Sequence, residues 1–167
     1  MRTVLFFSLS LALLLHVGCG GDDGRPADMP RLHPVNISVI QDGQPLEGAS
    51  VTLIAEAPAV AQYSRSSGTT TAAGTATIRT YGFNGVPVGD YKVVIEKRVT
   101  EGEQQILAED GEVLGTRGGR VYQLVDTQFS TETASQLSIT VEERRGARET
   151  FDVGEAVKVF LFVHTSD

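Results

Sequence analysis

The sequence predicts an all-β fold, a sandwich of two antiparallel sheets, and three observations support this prediction. From Pro34 onward apolar and polar residues alternate with a period of two, and turn signals recur at short intervals. No segment beyond the N-terminal leader carries a sustained apolar stripe at helical spacing. The 18 glycines and the many β-branched residues agree with this pattern, because short strands joined by tight turns are typical of sandwiches.

The predicted strands can be placed along the chain one after another. Turns separate them at Asp42-Gly43, at residues 72–74 and at residues 86–90, and one strand is predicted over residues 75–81. We expect Tyr91 to bury its ring in the core with its hydroxyl near a loop. The alternating apolar positions of the other strands are Val35, Ile37 and Val39; Val51, Leu53 and Ala55; Tyr91, Val93 and Ile95; and Leu137, Ile139 and Val141.

Two later segments depart from the alternation. Residues 157–163 are apolar nearly throughout, which predicts a central strand covered on both faces. Residues 99–120 form an acidic excursion, in which carboxylates surround only a few apolar residues. A hairpin around Asp110-Gly111 and a mobile stretch at residues 115–119 are predicted within it, and for a loop of this length disorder is favoured over a functional role.

Residues 1–18 have the organisation of a secretory signal peptide. Arg2 supplies a positive start, and residues 4–15 form an apolar run. This run of about 12 residues is shorter than the roughly 20 that span a bilayer. A small-residue cleavage zone follows at residues 17–20. The chain is therefore predicted to be exported.

Cys19 is the only cysteine, so the chain can form neither an internal disulfide nor a multi-cysteine metal site. Residues 16–19 read H-V-G-C and resemble the lipobox of bacterial lipoproteins, although His16 replaces the usual leucine. The resemblance implies cleavage before Cys19 and acylation of its thiol. Two or more acyl chains hold a protein stably on a membrane. The alternative is an ordinary signal peptide followed by a leftover cysteine.

The rest of the chain divides into a tether and one domain. Residues 19–33 are dense in Gly, Pro and Asp, which predicts a flexible tether with a reach of at most about 46 Å. Residues 34–167 form the predicted domain. The net charge of −7 excludes nucleic acid as a partner and gives no attraction to anionic lipid. The expected partners are the membrane, reached through the lipid on Cys19, and a protein or glycan of the cell envelope.

Three short motifs occur in a recognisable order. Residues 42–51 read D-G-Q-P-L-E-G-A-S-V, residues 70–76 read T-T-A-A-G-T-A, and residues 86–93 read V-P-V-G-D-Y-K-V. Together they resemble the carboxypeptidase regulatory-like domain, and residues 128–137 are similar to a segment of small planctomycete lipoproteins. The resemblance implies a prealbumin-type, transthyretin-like Greek-key sandwich of about seven strands, with no catalytic role of its own. Residues 72–73, Ala-Ala, replace the aspartate that is usual in the second motif.

The sequence contains no recognisable set of residues that could form a catalytic site. His16 lies in the signal peptide, His33 in the tether and His164 near the C-terminus, and the H-E-x-x-H zinc signature is absent. The chain also lacks the Tyr-Arg-Gly-Ser ending of the transthyretin-like hydrolases that act on 5-hydroxyisourate. We therefore expect no enzyme activity, no catalytic residue, no metal and no cofactor. The alternative is a hydrolase with paired carboxylates at residues 142–143 and 152–155.

Aromatic residues offer the remaining candidate surface. The chain has no Trp, and its clearest exposed candidates are Tyr63, Tyr81 and Phe83. Residues 81–85 predict a loop in which Tyr81 and Phe83 contact a ligand, with simple loop packing as the alternative. The leading expectation is a structural or interaction module anchored by lipid, in the outer membrane and facing the periplasm or the exterior. The second is a carbohydrate- or peptide-binding module.

Overall fold

The protein is built almost wholly from β-strands. The computed structural model describes residues 24–57 and 61–161, with the side chains of residues 116 and 117 excepted. The predicted signal peptide, Cys19 and His164 lie outside the described residues. The strands are β1 (Val35–Gln41), β2 (Gln44–Pro45), β3 (Ser50–Ala55), β4 (Arg65–Thr69), β5 (Thr75–Thr77), β6 (Arg79–Thr80), β7 (Phe83–Asn84), β8 (Gly89–Glu96), β9 (Arg98–Leu107), β10 (Val113–Gln123), β11 (Ser138–Val141), β12 (Ala147–Asp152) and β13 (Val159–Leu161). A 3-10 turn, η1 (Ala61–Tyr63), and a single helical turn, α1 (Thr127–Ser130), complete the described elements.

Two sheets form a sandwich. The first has the order β12-β1-β2, with β5 also paired to β1, and the second has the order β11-β8-β3-β4-β6-β7. All neighbours in these sheets are antiparallel except β1 and β12, which run parallel from Val35↔Ala147 to Ile40↔Asp152. The predicted all-β sandwich is therefore confirmed. More strands are present than the seven expected, because turns divide several segments into strands of two or three residues.

The core lies between the two sheets and is built from the alternation that the sequence shows. Along β1 the residues alternate between buried and partly buried, with Val35, Ile37 and Val39 facing inward. Val51 and Leu53 of β3 meet them from the other sheet in one cluster. Tyr91 is buried in this cluster, and its hydroxyl donates to the Pro87 carbonyl at 2.8 Å, as predicted.

A long hairpin, here called the arm, stands where disorder was favoured. Strands β9 and β10 pair in register from Arg98↔Gln123 to Leu107↔Val113, with one bulge beside Val113. The turn between them is closed by a hydrogen bond from Ala108 N to Glu112 O at 2.8 Å. The prediction of disorder was wrong because the ladder satisfies the backbone without a core, while the acidic side chains remain in solvent. The predicted hairpin around Asp110-Gly111 is present, and residues 115–119, predicted to be mobile, lie within strand β10.

The predicted central strand over residues 157–163 is also corrected. Only Val159–Leu161 of its described part forms a strand, β13, and this strand pairs with β10 at the edge of the sheet order β13-β10-β9. Val159 and Phe160 are exposed by 44% and 40%. Strand β13 is apolar without being covered, because it lies along the base of the arm and not between the two sheets of the sandwich.

The described part of the predicted tether lies against the sandwich. Met29 and His33 are buried, and His33 exchanges two backbone hydrogen bonds with Val86, at 2.8 and 2.9 Å. The segment is therefore held to the domain by the burial of Met29 and by the pairing of His33 with Val86. Composition alone did not reveal this, because backbone pairing needs no apolar periodicity in the segment that pairs.

The N-terminal segment and the arm lie at opposite ends of the sandwich. The chain enters beside Val86 and runs along β1 from Val35 to Gln41. At the far end of β1, the Gln41 side chain donates to the Leu124 carbonyl at the base of the arm, at 2.9 Å. The base of the arm therefore lies at the end of β1 opposite to the one at which the chain enters.

Candidate functional site

The candidate site is built on a tight hairpin, here called the Tyr81 hairpin, formed by β6, β7 and the turn Tyr81-Gly82. Thr80 pairs with Phe83, so only two residues make the turn. Both have positive φ, 51° at Tyr81 and 85° at Gly82. The predicted loop over residues 81–85 is thus a hairpin turn that presents the ring of Tyr81, which is 66% exposed.

A second turn in the same molecule shows what this geometry normally selects. Between β1 and β2 the turn is Asp42-Gly43, with φ of 52° and 70°. Asn-Gly and Asp-Gly are the preferred sequences for such turns, because Asp and Asn tolerate positive φ far better than bulky residues do. Tyr81 therefore occupies a position at which an aromatic residue is strained. Strain of this kind is characteristic of functional positions.

The ring of Tyr81 is braced from behind by a buried neighbour. Tyr63 and Tyr81 meet edge to face, with ring centroids 5.5 Å apart and an interplanar angle of 76°. Tyr63 is buried, and its hydroxyl donates to Asp28 Oδ1 at 2.9 Å. Burial and this hydrogen bond raise the pKa of Tyr63 above its ordinary value of 10.0. Tyr63, predicted as an exposed candidate, instead supports Tyr81, because η1 turns its ring inward.

Phe83 is the first residue of β7, after the turn that contains Tyr81. It is half-buried, and the guanidinium of Arg25 lies over its ring at 5.6 Å from the centroid. On the outer face of the six-stranded sheet a groove lies beside Tyr81, and Phe83 does not line this groove. Of the two predicted contacts, only Tyr81 therefore remains a candidate for that groove.

Beside Tyr81 lies a shallow groove of about 590 Å³ on the outer face of the six-stranded sheet, here called the arginine groove. Thr52, Ser67 and Arg79 lie side by side on β3, β4 and β6, because Thr52 pairs with Ser67 and Ser67 pairs with Arg79. The lining includes two guanidinium groups and no carboxylate, in a chain whose net charge is −7. Its residues are Thr52, Arg65, Ser66, Ser67, Arg79, Tyr81 and Gly82.

The two arginines of the groove are held differently. Arg79 Nε donates to Asn84 Oδ1 at 2.9 Å, which fixes the plane of the guanidinium and leaves its two terminal nitrogens without a partner among the described residues. Arg65 forms an ion pair with Glu132 at 2.6 Å. Sequence reasoning missed both arginines. Arg65 lies two residues from Ser67 and so shares its face of β4, but Arg79 lies on β6, and the pairing of β4 with β6 was needed to bring the two arginines together.

Other candidate residues do not assemble into a reactive site within the described part of the chain. His33 is buried against Val86, and its pairing uses backbone atoms. The carboxylates considered for a hydrolase, residues 142–143 and 152–155, are exposed, and Asp152 Oδ1 accepts from Gly154 N at 2.9 Å in a local turn. Over residues 24–57 and 61–161, no group of three or more His, Cys, Asp or Glu side chains is arranged to hold a metal ion.

Comparison with known proteins adds one structural similarity. No protein-family model and no curated protein sequence matches the chain. Among solved structures, the chain is similar to the major pilin subunit of Bacillus cereus, with a TM-score of 0.41 and 18% sequence identity. The match covers 74% of this chain and 30% of the pilin chain. Among the described residues, no helix has the length and apolar character needed to cross a membrane.

Proposed function

We propose that this protein is a lipid-anchored, non-catalytic β-sandwich protein of the bacterial cell envelope, acting as a structural or interaction module. The observation that carries the proposal is the order of features at the N-terminus, an apolar run of about 12 residues followed by the lipobox-like H-V-G-C at residues 16–19. Export through this signal and acylation of Cys19 would place the domain at a membrane, in our proposal the outer membrane.

The path of the N-terminal segment supports a short attachment. Asp28 accepts hydrogen bonds from Tyr63 and from Gln62, and Met29 is buried. The chain from Cys19 to Asp28 reaches at most about 32 Å when fully extended. A domain attached in this way would stay close to the bilayer, with the base of its arm at the end of β1 far from the attachment.

The positions of the three sequence motifs support membership of the carboxypeptidase regulatory-like class. Residues 42–51 span the turn after β1 and the start of β3, residues 70–76 span the turn before β5, and residues 86–93 lead into β8. Gly74 shows why the second motif needs glycine. Its φ is +71°, and an added Cβ would come within 2.8 Å of the Val39 carbonyl oxygen. The motifs thus specify turns of the sandwich, in agreement with a scaffold role.

Attachment is tested by replacing the acylated residue. The variant Cys19→Ser should move the protein from the membrane fraction to the soluble periplasmic fraction and abolish metabolic labelling with a fatty acid. His16→Leu is the matched control, because it restores the usual lipobox residue and should retain labelling. Membrane retention of the Cys19→Ser variant would show that the anchor lies elsewhere and would refute the proposal.

A second function, carbohydrate or peptide binding at the Tyr81 hairpin, is favoured by one observation. Tyr81 is strained, exposed and braced by Tyr63, whereas the equivalent turn at Asp42 uses a residue suited to its conformation. Glycan-array binding and cell-wall pull-down should therefore decrease when Tyr81 is replaced by alanine. Phe83→Ala provides the comparison, because Phe83 lies outside the arginine groove. Equal loss in both variants would indicate a general distortion of the hairpin.

A further inference from the structure

We propose that the arginine groove binds an acidic polysaccharide, with a sugar ring stacked on Tyr81 and the carboxylate of a sugar held by Arg79. This inference rests on the ligand-binding role proposed above for the Tyr81 hairpin and specifies the ligand class. The polysaccharide is defined by its chemistry, pyranose rings that carry carboxylates.

The aromatic platform is preorganised for stacking. Contact with Tyr63 engages at most one face of the Tyr81 ring, which remains 66% exposed. Tyr81 keeps a strained φ of 51°, and the neighbouring Gly82 supplies the second positive φ that the turn requires. A fixed ring loses little conformational freedom when a flat apolar surface, such as the face of a pyranose, packs on it.

Arg79 supplies the preference for an anion. Its Nε is held by Asn84 at 2.9 Å, so the terminal nitrogens are presented as a fixed pair of donors. Such a pair matches the two oxygens of a carboxylate. The neighbouring Arg65 already pairs with the Glu132 carboxylate at 2.6 Å. No lining residue carries a negative charge, so the groove attracts anions although the chain as a whole is acidic.

The remaining lining favours a sugar over a peptide. Thr52 and Ser67 offer hydroxyls in register beside Arg79, suited to hydrogen bonds with sugar hydroxyls. Strands β3, β4 and β6 are each paired on both sides, so the groove has no free edge to which a peptide strand could add. No aliphatic side chain lines the groove to receive an apolar peptide anchor.

The test is binding of the full chain, purified in detergent, to three immobilised polymers. Alginate carries carboxylates on sugar rings, dextran is a neutral polysaccharide, and poly-L-glutamate carries carboxylates on a peptide. We expect saturable binding to alginate that weakens as sodium chloride is raised, and at least tenfold weaker binding to dextran and poly-L-glutamate. Binding of dextran as tight as that of alginate, or of poly-L-glutamate with the same dependence on Arg79, would overturn the proposal.

Two variants and one control identify the site. Arg79→Gln should weaken alginate binding at least tenfold without changing the thermal midpoint. Tyr81→Asn should weaken it comparably while keeping or raising the thermal midpoint, since Asn suits the turn better than Tyr does. Arg148→Gln, an exposed arginine of β12, should bind as the unaltered protein does. Unchanged alginate binding in either site variant refutes the site. Such a failure leaves the fractionation of Cys19→Ser unaffected, so anchoring and ligand class are judged separately.

Discussion

The hydroxyl of Tyr63 donates to Asp28 Oδ1 at 2.9 Å and so fastens the segment that precedes β1 to the η1 turn. The same ring packs edge to face on Tyr81. One buried tyrosine therefore connects the N-terminal segment to the candidate ligand platform.

Removing this hydroxyl should loosen the N-terminal segment. In Tyr63→Phe the ring remains but Asp28 keeps only its donor from Gln62, so amide hydrogen exchange over residues 24–33 should become faster. Tyr122→Phe is the control, because the ring of Tyr122 lies on the arm and packs against Phe160. Unchanged exchange in Tyr63→Phe would show that the hydroxyl contributes nothing and that Met29 burial, the Gln62 donor and the His33–Val86 pairing hold the segment.

Alkaline pH should destabilise the fold through Tyr91. Burial raises its pKa from 10.0 to about 12, so the folded state favours the neutral phenol. The unfolded chain releases this proton near pH 10, whereas the folded chain keeps it until about pH 12. The stabilisation is therefore complete below pH 10 and declines as the pH rises through this window. Urea midpoints at pH 8 and pH 11 measure it, and Tyr91→Phe should show a smaller decline.

Gly146 should tolerate no side chain. Its φ is +64°, and an added Cβ would overlap the Pro34 carbonyl oxygen, which accepts from Ala147 N at 3.0 Å where β1 meets β12. Gly154 is the matched control, since its φ is +71° and nothing lies within 4 Å of an added Cβ. Gly154→Ala should lower the free energy of unfolding by about 1 kcal/mol. Gly146→Ala should cost more than twice as much in urea titrations; equal losses would contradict the predicted clash.

The arm should be dispensable for folding of the sandwich. Replacing residues 104–117 by Asn-Gly joins Glu103 to its partner Gly118 through a short turn. The removed side chains with described burial are exposed or partly exposed, so the unfolding free energy should change by less than about 0.5 kcal/mol. By contrast, Val125→Ala at the base of the arm, where Val125 is fully buried, should cost on the order of 2 kcal/mol. Loss of cooperative unfolding in the shortened protein would contradict this expectation.

Local pattern and long-range pairing contributed differently to what could be predicted. The alternation at Val35, Ile37 and Val39 specified which face of β1 is buried, because side-chain period and burial are directly linked in a strand. The arm was predicted only as a hairpin around Asp110-Gly111 in a segment expected to be disordered, because its strands pair with each other and face solvent and so carry no such period. For residues 157–163 the apolar character led to a wrong prediction of a central strand. Apolar character alone does not identify the surface that a strand packs against.

In the candidate site, too, local sequence pattern was predictive and long-range strand pairing was not. Tyr81 was identified because an aromatic residue beside glycine marks a loop. The groove could not be predicted, because Thr52, Ser67 and Arg79 come from three different strands. The sequence of a single strand does not show how that strand pairs with its neighbours. The brace from Tyr63 also depended on the fold, since η1 turns inward a ring that composition suggested would be exposed.

The parallel pairing of β1 with β12 has a mechanical consequence. A pull on the N-terminus acts at the Val35 end of β1, whereas a load on the arm side reaches β12 at its Asp152 end. These forces would slide the two strands past each other lengthwise. The hydrogen bonds of the ladder, from Val35↔Ala147 to Ile40↔Asp152, would then share the tension together instead of opening one at a time. If the domain is anchored through Cys19 as proposed, this arrangement would resist separation of the two strands in the direction in which tension would act.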